Sequence, residues 1–206
     1  MRYTGSRNRI ARQLGVDLGL KRPGTKSHSR LLKRLNVPPG QHGVSGRKKV
    51  SERALQLREK QKLRFMFGIT ERQLKNYFKK ASQKKGNTGL YLCQYLERRL
   101  DSVLYRLGFA PTRASARQLI SHKHIKVNDK ILNIPSYLVK KGDIITFAKE
   151  KILQVPEIKE TLENKDLIIP SWLKREKNQG IVIAEPSSEL IEKQIHLRLV
   201  IEYYSR

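Results

Sequence analysis

The sequence predicts an α+β protein whose first part is mostly helical and whose second part has two helices followed by a small antiparallel sheet. Apolar residues recur at helical spacing between residues 51 and 107, which predicts amphipathic helices. Short alternating segments separated by turn residues follow between residues 125 and 147, which predicts strands. No run of about 18 apolar residues occurs, so we expect no membrane-spanning helix and no membrane partner.

The net charge of the chain limits which functions are plausible. The 206 residues include 44 Lys and Arg against 18 Asp and Glu, a formal net charge of +26. Such a surface repels itself unless an anion covers it, and a nucleic acid releases counterions for each phosphate that a cation neutralises. Residues 1–85 hold 24 Lys and Arg against 4 acids, whereas residues 152–206 hold 8 against 9. We therefore expect the first 85 residues to supply most of the affinity for a nucleic acid.

The single cysteine limits the covalent and metal chemistry. Cys93 excludes an internal disulfide and a zinc site built from several cysteines. It lies at helical spacing with Leu96 and Leu100, so we expect a core residue. His122 and His124 could share one face of a strand and bind a metal, but the sequence offers no third ligand. Contact with RNA or solvent is the expected role of both, and we predict no metal and no cofactor.

Residues 1–49 are a basic extension rich in glycine and proline. Short helices fit around Arg7–Leu14 and Ser29–Leu35, and GQHG at 40–43 is interpreted as a tight turn around His42. The segment cannot bury enough apolar surface to order alone. We expect it to order against its partner.

Two further helices are predicted between residues 50 and 85. Ser51 is expected to cap one that runs to about Phe67, and residues 70–73, TERQ, form a capping box. Behind that box, one apolar stripe comprises Leu74, Tyr77, Phe78 and Ala81. The basic side chains of these two helices are predicted to contact RNA, and they are Arg58, Lys60, Lys62, Arg72, Lys75 and Lys79.

A helix–helix–sheet unit follows. Apolar residues from Cys93 to Leu107 predict one helix, with Gly108 at its C′ position. Thr112 is expected to cap a short second helix to Ser121, on which Arg113 and Arg117 share one side.

Strands are predicted at 125–127, 131–132, 137–139 and 144–147, with Asn128-Asp129 as a hairpin turn. A basic surface carried by a rigid helix suits structured RNA, which is read mainly by shape. DNA binding is disfavoured because no helix places base-reading side chains at suitable spacing.

The stretch RLDSVLYRLGFAPTRASARQLISHKHIKVNDKILNIPSY, followed by KKGDIITF, resembles the S-four RNA-binding domain. PPGQHG at 38–43, LQLREKQKLRFMFGITERQL at 55–74, KGNTG at 85–89 and LVIEYYSR at 199–206 resemble the ribosomal protein family for which that domain is named. The resemblance covers essentially the whole chain.

The resemblance implies a domain plan. Residues 1–49 would be the basic extension, and residues 50–97 a helical domain completed by about 180–206. The S-four domain would be inserted at 98–179, with its core at 98–150.

It also implies a function. The family is a structural constituent of the small ribosomal subunit that binds small-subunit ribosomal RNA as a primary assembly protein, nucleates the body and contributes to translational accuracy near the mRNA entry channel. Its neighbours include the small-subunit protein S-five, other small-subunit proteins and mRNA at the entry channel. No homo-oligomer is expected.

By match to the motif, the residues facing RNA in the S-four domain would be Arg113, Arg117, His122, Lys123 and Lys126. Arg47, Lys48 and Lys49 would lie in a basic loop near the point where mRNA enters. Many members carry an N-terminal cysteine cluster for zinc or iron–sulfur, but residues 1–45 contain no cysteine. Style and composition favour a plastid ribosome in the chloroplast stroma, with the bacterial cytoplasm as the alternative.

Several alternatives accompany this interpretation. Arg99-Leu100-Asp101 resembles the catalytic tripeptide of pseudouridine synthases, but no separate catalytic domain remains, so Asp101 is expected to pair with a neighbouring basic residue on the helix surface. A free RNA chaperone and an RNA-modifying enzyme carrying an S-four domain are the competing functions.

Lys151–Gln194 matches the family least, and residues 169–172, IPSW, are expected to pack on the S-four domain. Tyr203 and Tyr204 are expected to pack as part of a final strand.

Overall fold

A computed structural model describes residues 3–43, 50–164 and 167–205. Its α-helices are α1 (Arg7–Leu14), α2 (Lys26–Lys33), α3 (Glu52–Met66), α4 (Glu71–Ser82), α5 (Thr88–Glu97), α6 (Leu100–Arg106), α7 (Arg113–Ser121), α8 (Pro156–Glu163), α9 (Glu189–Glu192) and α10 (Leu197–Ser205). Its strands are β1 (Ile125–Val127), β2 (Lys130–Leu132), β3 (Ile144–Phe147), β4 (Leu173–Glu176) and β5 (Gln179–Val182). A 3-10 helix covers Glu150–Gln154.

These elements form two compact units. Unit 1 contains Met1–Leu92 and Ser188–Arg206, and unit 2 contains Cys93–Ser187. Unit 1 is helical and unit 2 carries the five-stranded antiparallel sheet, so the predicted α+β class is confirmed. Among the described helices, none combines the length and the apolar character needed to cross a bilayer.

The short helices near the N-terminus follow their local signals. Helix α1 has the predicted bounds. Helix α2 starts three residues before the predicted Ser29, because Thr25 rather than a later residue caps it and accepts a hydrogen bond from the His28 N–H at 3.3 Å. The His28 ring also contacts Asp17 at 2.7 Å, which ties α2 to the loop after α1.

Helices α3 and α4 start where their caps predict. The Ser51 hydroxyl accepts from the Ala54 N–H, and both hydrogen bonds of the Thr70–Gln73 capping box are present. On α4, Leu74 and Ala81 are fully buried, so the predicted apolar stripe is the packing face of the helix.

The final segment is a helix, so the strand predicted around Tyr203 is wrong. Leu197, Val200 and Tyr204 follow helical rather than alternating spacing, and Leu197 and Val200 are buried. The expected packing of the tyrosine is confirmed, because the Tyr204 ring stacks on Phe78 with centroids 4.9 Å apart. Helix α10 packs against α3, and the Gln56 side chain donates to Glu202 at 3.2 Å.

The single helix predicted from Cys93 to Leu107 is two helices in the structure. Arg99 is extended, with φ −65° and ψ 135°, between α5 and α6. The chain breaks there because its backbone pairs with the segment after β2: the Leu100 N–H donates to Tyr137 and the Val139 N–H donates to Arg98. Cys93 is fully buried, which confirms its core role, and Gly108 has the predicted left-handed conformation with φ 72°.

The sheet of unit 2 has the order β2-β1-β3-β5-β4. The hairpin turn is confirmed, because Asn128 and Asp129 have φ values of 49° and 64°, as a type I′ turn requires. The strand predicted at 137–139 is wrong, since only Leu138 forms an isolated bridge, to Arg99. That segment uses its backbone groups on the α5–α6 junction instead.

Strands β4 and β5 extend the sheet beyond the predicted elements. Trp172, just before β4, is buried in the unit 2 core and Ile169 packs against it, which confirms the packing predicted for 169–172. Gly180 of β5 lies close to α6, since a Cβ there would come within 2.2 Å of a Leu107 methyl. The core itself contains Leu104, Phe109, Ile120 and Ile145.

Candidate nucleic-acid interface

Helix α7 was predicted to carry the guanidinium face of unit 2. Thr112 caps it as predicted, accepting from the Ser115 N–H at 3.2 Å. Ala116 and Ile120 are fully buried, which fixes the helix on the unit 2 core. Arg113 turns towards Glu97 at the end of α5 and Arg117 turns towards Asp101 on α6, so these contacts determine what α7 presents to solvent.

Arg113 belongs to a buried cluster around Glu97. The Glu97 carboxylate is 1% exposed and accepts from Arg106 Nη2 at 2.5 Å and from Ser102 Oγ at 3.2 Å. Arg113 donates through Nε to Ser102 at 3.2 Å, and its Nη2 lies 3.7 Å from Glu97. The Arg113 guanidinium also lies over the Tyr105 ring, 4.6 Å from its centroid. The cluster therefore joins α7 to the end of α5 and to α6.

Ionisation of this cluster follows from burial and charge together. Burial alone would raise the pKa of the Glu97 carboxyl, but Arg106 and Arg113 outweigh it and hold that pKa below its ordinary value. Burial lowers the pKa of Arg113 in spite of Glu97, whereas the Glu97 charge keeps the pKa of Arg106 above its ordinary value. Since arginine titrates far above neutrality, all three groups are charged at pH 7.

Arg117 belongs to a second cluster, centred on Asp101. Asp101 is fully buried and accepts from Arg99 Nη2 at 2.7 Å and from Arg117 Nη2 at 2.5 Å. Asp101 therefore pairs with basic residues, as expected, but in the interior rather than on the helix surface. The Arg117 side chain is 17% exposed. Only the edges of the Arg113 and Arg117 guanidinium groups are therefore accessible to solvent on α7.

The C-terminal end of α7 is more open. His122 and Lys123 are exposed, and Lys126 on β1 is half-buried. Lys123 has a left-handed backbone with φ 61°, an unusual conformation for a side-chain-bearing residue. Backbone bonds from His122 to Gln118 and from His124 to Leu119 hold this turn. His122 and Lys123 thus lie in the turn after α7, and Lys126 is the central residue of the strand that follows.

Three exposed lysines at the other end of β1 were not included among the predicted contacts. Lys130 follows the hairpin turn, and Lys140 and Lys141 lie in the turn before β3. Asn128 joins the two turns by donating to Asp143 at 2.8 Å. The Lys-Lys-Gly-Asp turn was visible in the sequence, but its position beside the hairpin depends on the sheet register.

In unit 1, α4 presents its cations outward. Arg72, Lys75 and Lys79 are exposed and lie opposite the buried stripe of Leu74 and Ala81. Arg58 on α3 is also exposed. These four exposed side chains can meet phosphates without first breaking a described internal contact.

Lys60 and Lys62, predicted as RNA contacts, lie in ion pairs. Lys60 is buried with Nζ 2.6 Å from Glu71, and Lys62 Nζ lies 2.6 Å from Glu59. Burial would raise the pKa of Glu71, but hydrogen bonds from Lys60 and Tyr204 hold it below its ordinary value. Burial and the Glu71 charge raise the pKa of Tyr204. Lys60, Glu71 and Tyr204 therefore form a polar cluster between α3, α4 and α10.

Arg47, Lys48 and Lys49 lie outside the described residues, so their placement stays a prediction. The His122 and His124 rings are 6.0 Å apart, and over the described part of the chain no three His, Cys, Asp or Glu side chains come together as a metal site.

Comparisons with known proteins identify the family of this chain. Residues 2–97 match the family described as Ribosomal protein S4/S9 N-terminal domain, and residues 98–145 match the S4 domain. The chain is 50% identical to the small ribosomal subunit protein uS4 of Aquifex aeolicus, with 100% of this chain and 99% of that protein covered. It is 47% identical to uS4A of Symbiobacterium thermophilum and 46% identical to uS4 of Xanthomonas oryzae, with the same coverage.

Proposed function

The chain belongs to the small ribosomal subunit protein uS4 family, and from this premise we propose how it binds ribosomal RNA. It is a structural, non-enzymatic constituent of the small ribosomal subunit. We propose that exposed cations on each unit bind small-subunit ribosomal RNA, with α4 supplying phosphate contacts and the end of α7 setting position. The competing RNA-modifying enzyme has no support in this family.

The observation that carries the proposal is the uneven pairing of charge in unit 1. Asp17, Glu59 and Glu71 each contact a basic side chain within 2.7 Å. The outward cations of α4 lie on the side of the helix opposite the buried Leu74 and Ala81. Because these three acids are already paired while the α4 cations face solvent, this part of the protein favours a polyanion, whose phosphates release counterions when cations neutralise them.

The predicted S-four-domain contacts divide into two groups in this proposal. His122, Lys123 and Lys126 meet RNA directly. Arg113 and Arg117 contribute by fixing α7 through Glu97 and Asp101, and Arg117 also offers its exposed edge to a phosphate. Lys60 and Lys62 act in the same indirect way, by holding α3 and α4 in place.

The proposal extends to the role of this protein in assembly of the small subunit and to its location in the ribosome and the cell. We infer that the protein binds early, nucleates the body of the subunit, contributes to accuracy and lies beside the protein S-five. Arg47, Lys48 and Lys49 would face the mRNA entry channel. The three relatives named above are bacterial, so we infer the bacterial cytoplasm as the compartment. The plastid favoured from sequence style gains no support from them.

The test is filter binding of the pure protein to naked small-subunit ribosomal RNA across a salt series. A DNA duplex and an unrelated RNA of equal length are the competitors. Tight and selective binding, with no other ribosomal protein present, is the expected result for a primary assembly protein. Equal binding to all three polymers would contradict the proposal and favour a non-specific RNA chaperone.

A further inference from the structure

A cleft in unit 2 opens beside the end of α7, and His122 is one of its lining residues. It lies between α7 and the segment that contains the 3-10 helix and α8, and its volume is about 210 Å³. Its walls include Gln118, Leu119, His122 and His124 on one side, and Ile152 and Ile158 on the other. The lining residues Ser115, Val155 and Glu157 complete the rim.

The size of the cleft limits what can enter it. At roughly 30 Å³ of liquid volume per water molecule, about 210 Å³ corresponds to roughly seven waters. Sites for drug-sized ligands start at roughly 300 Å³. The cleft therefore suits one flat heterocycle rather than a cofactor or a peptide.

The walls combine a ring-stacking surface with an apolar floor. Ile152 and Ile158 are 7% and 3% exposed, so the floor is apolar and mostly buried. The two imidazole rings lie 6.0 Å apart at an interplanar angle of 64°. That geometry leaves no parallel slot between the rings, so a planar guest stacks on one ring and meets the other with its edge.

Polar groups at the mouth can read the edge of such a guest. The exposed Gln118 amide both donates and accepts hydrogen bonds, and the Ser115 hydroxyl does the same. Glu157 adds an acidic side chain to the lining, and two lysines lie next to lining residues in the chain: Lys123 is between the two histidines and Lys151 precedes Ile152. Lys123 and Lys151 are exposed, so both are available to the phosphates of a nucleotide whose base enters the cleft.

We propose that this cleft binds one unstacked nucleobase of the ribosomal RNA, stacked on the His124 ring and contacted by Gln118. The proposal rests on the RNA-binding function given above and deepens it, because it adds base-level contact to phosphate contact. Single-stranded bases are recognised by stacking on rings and by hydrogen bonds to their edges. The positioned turn, held by the His122–Gln118, His124–Leu119 and Ala148–His124 backbone bonds, keeps the stacking surface in place before RNA arrives.

The test compares the full-length protein and its variants on naked small-subunit ribosomal RNA at one salt concentration. His124→Ala removes the stacking ring, and we expect about tenfold weaker binding, since stacking one base on an aromatic ring contributes about that factor or more. His124→Phe keeps a flat ring and should bind within about threefold of the unmodified protein. His196→Ala, at an exposed histidine of unit 1, is the matched control and should bind unchanged.

Chemical footprinting gives the second readout. Dimethyl sulfate and a carbodiimide together probe the base-pairing edges of the four bases in the bound RNA. We expect one or two unpaired bases to be protected by the unmodified protein and by His124→Phe but reactive with His124→Ala, while the rest of the footprint stays the same. If His124→Ala lowers the thermal midpoint, Gln118→Ala is used instead, because Gln118 is exposed. We expect the same bases to become reactive with Gln118→Ala.

The outcomes separate this proposal from the function on which it rests. If the unmodified protein does not select ribosomal RNA, the RNA-binding proposal fails before any variant is compared, and this one fails with it. If selection holds but His124→Ala and Gln118→Ala bind within about twofold with an unchanged footprint, the cleft is empty in the complex. The nucleobase proposal is then overturned while the function stands.

Discussion

Helices α4 and α7 both start at a threonine N-cap, both bury an apolar stripe and both carry basic residues. The basic side chains of α4 point to solvent, whereas the arginines of α7 point to buried carboxylates. On α4, Arg72, Lys75 and Lys79 face solvent. On α7, Arg113 and Arg117 face the carboxylates of Glu97 and Asp101. The positive charge that a helix offers to RNA therefore depends on its neighbours' acids as much as on its own sequence.

The largest effect should come from Glu97, the carboxylate at the centre of the α7 contacts. Glu97→Gln leaves Arg106 and Arg113 buried without their counterion, and removing one partner of a buried ion pair costs about 3–5 kcal/mol. Urea unfolding followed by circular dichroism measures the destabilisation. Glu185→Gln, at a side chain 63% exposed, is the control and should change stability by less than about 0.5 kcal/mol. Equal destabilisation by the two variants would contradict a special role for Glu97.

The same carboxyl should leave a signature in the pH dependence of stability. Because its pKa is lower in the folded protein than its ordinary 4.5, its contribution is fully present above pH 4.5 and is lost as the pH falls through the folded-state pKa. We expect the free energy of unfolding to fall on acidification below pH 4.5, with a smaller slope for Glu97→Gln. Identical slopes from pH 5 downwards would show that other carboxyls carry the acid sensitivity.

The next effect concerns RNA. Arg113→Ala combined with Arg117→Ala should weaken binding to small-subunit ribosomal RNA by about 1–3 kcal/mol and lower the urea midpoint, because both arginines support α7. Lys174→Ala with Lys177→Ala removes two exposed cations of the same unit and serves as the control. Filter binding at fixed salt, at a temperature where both variants are folded, measures the difference. An affinity equal to that of the control would rule out the placement of α7 at the RNA.

For α4 we expect substitutions to change the salt dependence of RNA binding and to leave the stability of the protein unchanged. Arg72→Gln, Lys75→Gln and Lys79→Gln together should reduce the slope of log affinity against log salt by about 2–3, roughly one for each phosphate that is no longer neutralised. The free energy of unfolding should stay within about 0.5 kcal/mol. A triple variant at Lys174, Lys177 and Lys193 removes the same charge elsewhere; a slope reduced equally there would mean that α4 has no special contact with RNA.

The smallest effects should come from the two caps and should be alike. Thr70→Ala and Thr112→Ala each remove one hydroxyl that accepts from the helix backbone, at a cost of about 1 kcal/mol. Urea midpoints for the two single variants measure this cost. Thr70→Ser and Thr112→Ser keep the hydroxyl and should restore most of the stability, and failure of serine to do so would assign the effect to the threonine methyl.

Features that depend on a few neighbouring residues were predictable from the sequence. The Thr70 and Thr112 caps, the Asn128-Asp129 turn and the bounds of α1 all follow from local hydrogen bonds or backbone preferences. The outward cations of α4 follow from its periodicity alone, since the stripe of Leu74 and Ala81 fixes which side faces solvent.

Features that depend on distant partners were not predictable in this way. The α5–α6 break at Arg99 requires the backbone of Tyr137 and Val139, and the burial of Lys60 requires Glu71 and the closing helix α10. The inward turn of Arg113 follows from the position of Glu97, sixteen residues earlier in the chain. Resemblance to a known family indicated RNA-facing residues, but the geometry distinguishes those that reach solvent from those that support them.

The pairing of α10 with α3 also sets an order of events during synthesis of this protein. Glu59 accepts from the His196 backbone 137 residues later, so α3 lacks this contact until nearly the whole chain has been made. At about 5–20 residues per second, the wait is roughly 7–27 seconds. All of unit 2 is translated within that interval, so the inserted unit can finish folding first, and the α3 surface that packs on α10 stays uncovered until the last helix has been made.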